Sequence, residues 1–226
     1  MKSASMKLLS IQVGLPKTLE ISDARNAATR EWTTGFCKEV VVGSVWAGKT
    51  NLTGDGQADH RLHGGLDKAI NAYPFEHYAF WRSDLGFSEL LNGAFGENFT
   101  VQGMTETDAC VGDIFEVGGA LVQISQPRQP CEKLSRWLGV RDLAARVDHT
   151  GKTGWYFRVL HEGSVEAGMT LKLVDRPHPE WTITAANNAM LNRKVWHFAA
   201  QALAECPALS DKWRMALMAL HETCFC

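Results

Sequence analysis

From about Lys7 to Val174 the chain runs in short β-branched stretches punctuated by glycine, a texture of strands and tight turns rather than of a helical bundle. Leu8 to Leu15 is the most apolar stretch near the start, interrupted by Ser10 and Gln12 and followed by Pro16, and it predicts a buried strand. Val40-Val41-Val42 predicts another. Ile114-Phe115-Glu116-Val117 and Leu121-Val122-Gln123-Ile124 flank Gly118-Gly119, a dipeptide that tolerates positive φ at both central turn positions, so Asp113 to Ser125 predicts a hairpin. Trp155 to Leu160 and Met169 to Val174 are expected to close the sheet as a pair of strands joined through Glu162-Gly163-Ser164.

Two helices interrupt this pattern. Pro74 suits a first helical position, and Phe75, Tyr78, Ala79, Arg82 and Leu85 follow helical spacing as far as Gly86, an aromatic stripe that reads as core packing. A second helix is expected to start near Cys131 and stop at Gly139. Beyond Val174 the texture changes: Asp175-Arg176-Pro177-His178-Pro179 has the composition of a linker, and an alanine-rich, helix-forming region follows. Ser210 is placed to cap a helix whose apolar face is Trp213, Leu217 and Leu220.

The 226 residues suffice for one well-buried domain plus a small second one. A formal charge of -2 with no run of five or six like charges argues against nucleic acid or an anionic membrane as partner. Leu8 to Leu15 is not followed by a small-residue cleavage site, and no stretch approaches the roughly 20 apolar residues of a membrane span, so the expected location is the cytoplasm. Cysteines 37, 110, 131, 206, 224 and 226 form no C-x-x-C pair and no zinc spacing, so reduced thiols are expected.

Three segments offer chemistry. Gly43 to Thr50 matches the G-x-x-x-x-G-K-[ST] phosphate loop, yet Leu52-Thr53-Gly54-Asp55-Gly56 cannot form the helix whose amides such a loop needs, and Val45-Trp46 reads better as strand. Gly54 to Asp67 concentrates glycine, acids and two histidines, His60 and His63, in a stretch expected to be irregular; satisfied loop histidines are the better reading than a divalent-metal site. Ser125 to Leu134 leaves a strand through a loop stiffened by Pro127 and Pro130 and delivers Cys131 to a helix start beside Arg128 and Lys133. Helix amides and those cations favour thiolate, making Cys131 a candidate nucleophile or soft-metal ligand. Cys37, Cys110 and Cys206 fit structural roles, and Cys224 and Cys226 are assigned none.

Taken in order, Gly54-Asp55-x-Gln57, His63-Gly64-Gly65, Phe95-Gly96-Glu97-Asn98, Gly112-Asp113, Pro127-Arg128-x-Pro130-Cys131 and Gly154-Trp155-x-x-Arg158-Val159 resemble the MOSC domain family. The chain looks most similar to the bacterial branch conferring resistance to 6-N-hydroxylaminopurine, which carries a C-terminal three-helix domain. The resemblance implies a mainly β fold, a MOSC β-barrel with a few helices over residues 1–174, followed by a small three-helix domain over 175–226. It also implies the molybdopterin form of molybdenum cofactor, with Cys131 as protein ligand to the metal and as the catalytic position. By the same carry-over Asn98 and Arg128 lie near the pterin or its phosphate, and His63 and Arg158 belong to the same pocket.

The implied activity is reduction of N-hydroxylated small molecules, with electrons supplied by a separate flavin-containing protein; no flavin or nicotinamide motif is present in the sequence. Two alternatives stay open at this point: a sulfur-transfer protein carrying a persulfide on Cys131, and a cofactor carrier without turnover. A homodimer follows from family analogy alone.

Overall fold

The computed structural model describes residues 5–21 and 30–219. Leu220, Cys224 and Cys226 lie outside them. In chain order the strands are β1 (Lys7–Val13), β2 (Lys17–Ile21), β3 (Arg30–Thr34), β4 (Glu39–Val40), β5 (Ser44–Ala47), β6 (Ile70–Pro74), β7 (Phe99–Gln102), β8 (Ile114–Val117), β9 (Ala120–Pro127), β10 (Trp155–His161), β11 (Gly163–Glu166) and β12 (Lys172–Asp175). The helices are α1 (His60–His63), α2 (His77–Leu85), α3 (Glu132–Leu138), α4 (Leu143–Thr150), α5 (Ile183–Leu191), α6 (His197–Ala204) and α7 (Asp211–Met218).

The fold is mainly β. The large sheet runs β12-β8-β9-β10-β6-β7-β1-β4, antiparallel except for the parallel pair β6–β7. A bridge between Lys7 and Thr170, flanked by Leu8 N to Met169 O at 2.8 Å and Leu171 N to Met6 O at 2.9 Å, joins β1 to the approach of β12 and curls the sheet into a half-barrel. Inside sit Leu8, Ile11, Phe99, Phe115, Val122, Ile124, Trp155 and Phe157, all fully buried, as strand alternation places them. Ile183, Leu203, Trp213 and Leu217 of α5, α6 and α7 belong to the same apolar cluster, so the helical segment packs directly on the barrel. A second cluster, built on Tyr73, Tyr78, Trp81, Phe95, Leu134 and Leu143, lies under α2, α3 and α4.

The hairpin at Gly118-Gly119 forms in register, Val117 facing Ala120. Ser210 accepts the amide of Trp213 at 3.3 Å and caps α7 as expected. The phosphate-loop match resolves into β5, which pairs with β11, and Lys49 Nζ bonds the Val159 carbonyl at 3.1 Å.

Four expectations need correction. Pro74 does not open α2: it ends β6, where parallel pairing with β7 carries the chain to a Pro74–Val101 register, and the helix begins at His77. Its buried face is His77, Tyr78 and Trp81, while Ala79 points outward. The closing strands do not pair with each other, because β9 and β6 already occupy both edges of β10; β12 pairs with β8, and Gly163–Glu166 is itself a strand. Val41 and Val42 lie beyond β4, and Val42 is 97% exposed at the sheet margin. The glycine-rich stretch before Asp67 holds one helical turn, α1. Among the described residues no helix is long and apolar enough to cross a membrane.

Candidate functional site

Strand β9 ends at Pro127 and hands the chain to a loop held from behind. The Arg128 amide donates to the Gly154 carbonyl at 3.0 Å, and the Gly154 amide donates to Glu106 Oε1 at 2.7 Å. Gly154 sits at φ +70°, and a Cβ there would overlap the Ala72 carbonyl, so this position in the Gly-Trp motif serves close backbone packing. The loop then places Cys131 at the N-cap of α3, half-buried, in extended backbone geometry, with its carbonyl accepting from the Leu134 amide at 2.9 Å.

Facing this loop is the turn at residues 93–97. Its organiser is Glu97, fully buried, whose carboxylate accepts from the Gly93 amide at 2.8 Å, the Thr100 hydroxyl at 3.0 Å, the Phe95 amide at 3.2 Å and the Tyr78 hydroxyl. A buried carboxylate holding this many donors is compensated and rigid. The Phe95 ring locks the turn into the aromatic cluster, stacked on Tyr73 at 4.4 Å. As a result the Phe95 and Gly96 carbonyls point at the cavity wall, where Arg128 Nη2 donates to the first at 2.7 Å and Asn71 Nδ2 to the second at 3.2 Å.

The opposite wall comes from the segment after β3. A Cβ on Gly96, at φ +74°, would meet the Phe36 ring at 2.7 Å, so the missing side chain makes room for that ring. Phe36 also lies 6.3 Å from the Trp137 ring of α3, and Lys133 Nζ donates to the Thr33 carbonyl at 2.9 Å. Lys38 forms a buried ion pair with Asp55, the aspartate of the Gly-Asp motif.

The resulting cavity is lined by His63, Lys68, Asn71, Asn98, Arg128, Cys131, Lys133 and Tyr156, among others. Its field is positive. Burial and the charges of Lys68, Arg128 and Lys133 push the His63 pKa down to about 4, leaving a neutral imidazole at neutral pH. Burial and Lys212 bring Lys68 down to about 8. Burial raises the Tyr156 hydroxyl, with Arg128 opposing. A half-buried sulfur beside this group of cations is suited to a soft metal carrying anionic ligands. Of the four buried side-chain polar atoms without a partner among the described residues, two belong to cavity-lining residues, Arg128 Nη1 and Asn71 Oδ1.

The fold thus brings together four of the five residues singled out in the sequence: His63, Asn98, Arg128 and Cys131. Asn98 lines the cavity, but both ends of its amide already hold backbone, Oδ1 accepting from Asn71 N at 3.1 Å and Nδ2 donating to Gln12 O at 3.1 Å. Arg158 stands elsewhere. It pairs with Asp67 at 2.8 Å and Gln123 at 3.1 Å and faces a separate cleft with Lys49, Asp211 and Arg214. Asp113, of the Gly-Asp pair, is structural, holding the Cys110 amide at 2.9 Å and the Arg176 guanidinium at 2.7 and 2.8 Å. Sequence reasoning missed Lys68, Asn71 and Tyr156. Asn71 left a signal, a lone amide inside the fully buried strand Ile70–Pro74.

Known proteins resemble this chain closely. The sequence model of the MOSC domain matches residues 59–172. The protein YflK of Bacillus subtilis (strain 168) is 41% identical over 218 residues, spanning 96% of each chain. A protein of Gibberella moniliformis (strain M3125 / FGSC 7600) named "Reductase" is 35% identical over 189 residues, 82% of this chain and 33% of that longer one. The crystal structure of YiiM from Geobacillus stearothermophilus superimposes with a TM-score of 0.78 at 40% identity, covering 95% of this chain and 98% of the other. The domain match and the full-length similarity establish that this chain belongs to the MOSC domain family.

Proposed function

We propose that the protein is a molybdenum-cofactor oxidoreductase that reduces N-hydroxylated purines, of the 6-N-hydroxylaminopurine kind, and related N-hydroxylated compounds, a detoxifying reaction in the cytoplasm. The observation that carries the reading is the convergence of Cys131 with Arg128, Lys68 and Lys133 on one cavity whose buried walls keep unpartnered polar atoms. Membership of the MOSC family and similarity to a protein named a reductase support it.

The residues fit the molybdopterin form of the cofactor. Cys131 offers its sulfur to the metal, and Lys68 and Lys133 offer positive charge to anionic groups. When bound, the cofactor supplies the oxygen-atom acceptor and two electrons that amino-acid side chains cannot. The protein positions and excludes. Phe36 and Tyr156 border the cavity with aromatic surface for a planar base, and neutral His63 has one ring nitrogen to donate and one to accept a proton or hydrogen bond. Electrons would come from a flavin-containing partner protein.

The test is turnover. Protein from a molybdenum-cofactor-competent host, given a chemical reductant and 6-N-hydroxylaminopurine, is expected to release adenine and water; molybdenum-replete protein that yields no adenine would end this reading.

A further inference from the structure

The side chains of Asn71 and Arg128 donate to consecutive carbonyls, Gly96 and Phe95, and both residues line the cavity. Each is more than nine-tenths buried, at 8% and 4% exposure. Each keeps one atom without a partner, Asn71 Oδ1 and Arg128 Nη1. The orientation of the Asn71 amide is determinate, because only its nitrogen can donate to the Gly96 carbonyl. The cavity lining therefore includes one acceptor and one donor without protein partners.

A buried acceptor and donor left empty each carry a desolvation penalty, and a ligand supplying both partners relieves it. We infer that Asn71 and Arg128 together read a heterocycle edge in which an N–H donor adjoins a lone-pair acceptor, with Asn71 selecting for the N–H. Charge alone does not account for Asn71, since its free oxygen repels anions. Aminopyrimidinone rings and aminopurines both present such an edge, so the shared chemistry covers the pterin of a cofactor and the base of a substrate. Discrimination follows from the unmatched case: a ring lacking the N–H leaves Oδ1 buried and unpaired, which corresponds to roughly tenfold to hundredfold weaker binding. The inference deepens the cofactor-and-substrate reading of this cavity and rests on it for the identity of the ligand.

The test uses the full chain produced in a host unable to make molybdopterin, so that the cavity accepts added probes. Binding of pterin is compared with that of its counterpart methylated at N3 and twice on the 2-amino group. Binding of 9-methyladenine is compared with that of N6,N6,9-trimethyladenine. A preference of at least tenfold for pterin over its methylated form, erased in Asn71→Leu, assigns the edge to the cofactor ring. The same pattern with the adenine pair assigns it to the substrate base. Overturning results are equal affinity for methylated and unmethylated probes in the parent, or a preference that survives Asn71→Leu. If Asn71→Leu does not fold, the parent's discrimination decides alone. Molybdenum measured separately on protein from a competent host tests the cofactor reading: discrimination without molybdenum would sink that reading and leave this one standing.

Discussion

Glu106 and Gly154 are joined by a 2.7 Å hydrogen bond from the glycine amide to the buried carboxylate, and the same glycine accepts the Arg128 amide on its other side. The second oxygen of Glu106 lies 2.6 Å from His77 Nε2. A chain of bonds thus runs from His77 on α2 to the arginine of the cavity. Glu106→Ala would leave the Gly154 amide and the His77 ring unsatisfied in the interior, a loss of about 2–4 kcal/mol in denaturant unfolding. Glu106→Gln, which keeps an acceptor for Gly154, is expected to lose less than half as much.

His63 makes the protein sensitive to acid. Its folded pKa of about 4 lies below the ordinary histidine value of 6.5, so between those values the unfolded chain binds the proton more readily and stability falls as pH falls. Above pH 6.5 the effect vanishes. His63→Gln should narrow the stability difference between pH 7 and pH 5 by on the order of 1 kcal/mol after allowance for solvent screening, read from urea curves at the two pH values.

Lys68 sets an upper limit on anion binding. With its pKa lowered to about 8 by burial and Lys212, against Asp67, the side chain loses its charge as pH rises through that value. Sulfate, whose own charge does not change there, should bind the cavity several-fold less tightly at pH 9.5 than at pH 7. Lys68→Met should bind more weakly and lack the step near pH 8.

Ser210 ties the helices to the barrel. Its hydroxyl donates to Gln126 Oε1 at 2.7 Å while capping α7, and its amide bonds the Ser125 carbonyl at 3.0 Å. Ser210→Ala removes a cap and a buried partner, and is expected to lower stability by about 1–3 kcal/mol, seen as a drop in Tm of several degrees.

The strongly local features could be read in the sequence: the hairpin at Gly118-Gly119, the cap at Ser210 and the delivery of Cys131 to a helix start all follow from adjacent residues. What escaped depends on neighbours far apart along the chain. Pro74 reads locally as a helix start, yet strand pairing with β7 holds it. Arg158 stands in a motif with Trp155, but alternation along β10 turns it to a different cleft, where Asp67 takes it. Asn98 and Asn71 look interchangeable in sequence; only the geometry separates the amide that binds backbone at both ends from the one that keeps an oxygen for the cavity.

The most direct measurement is molybdenum and pterin content of protein from a molybdenum-cofactor-competent host, parent against Cys131→Ala, purified in parallel. Near-stoichiometric molybdenum and pterin in the parent, with the metal lost from a folded Cys131→Ala, is the result expected. Folded parent devoid of both, or a Cys131→Ala that retains full metal, would contradict the assignment and return attention to Cys131 as a sulfur carrier.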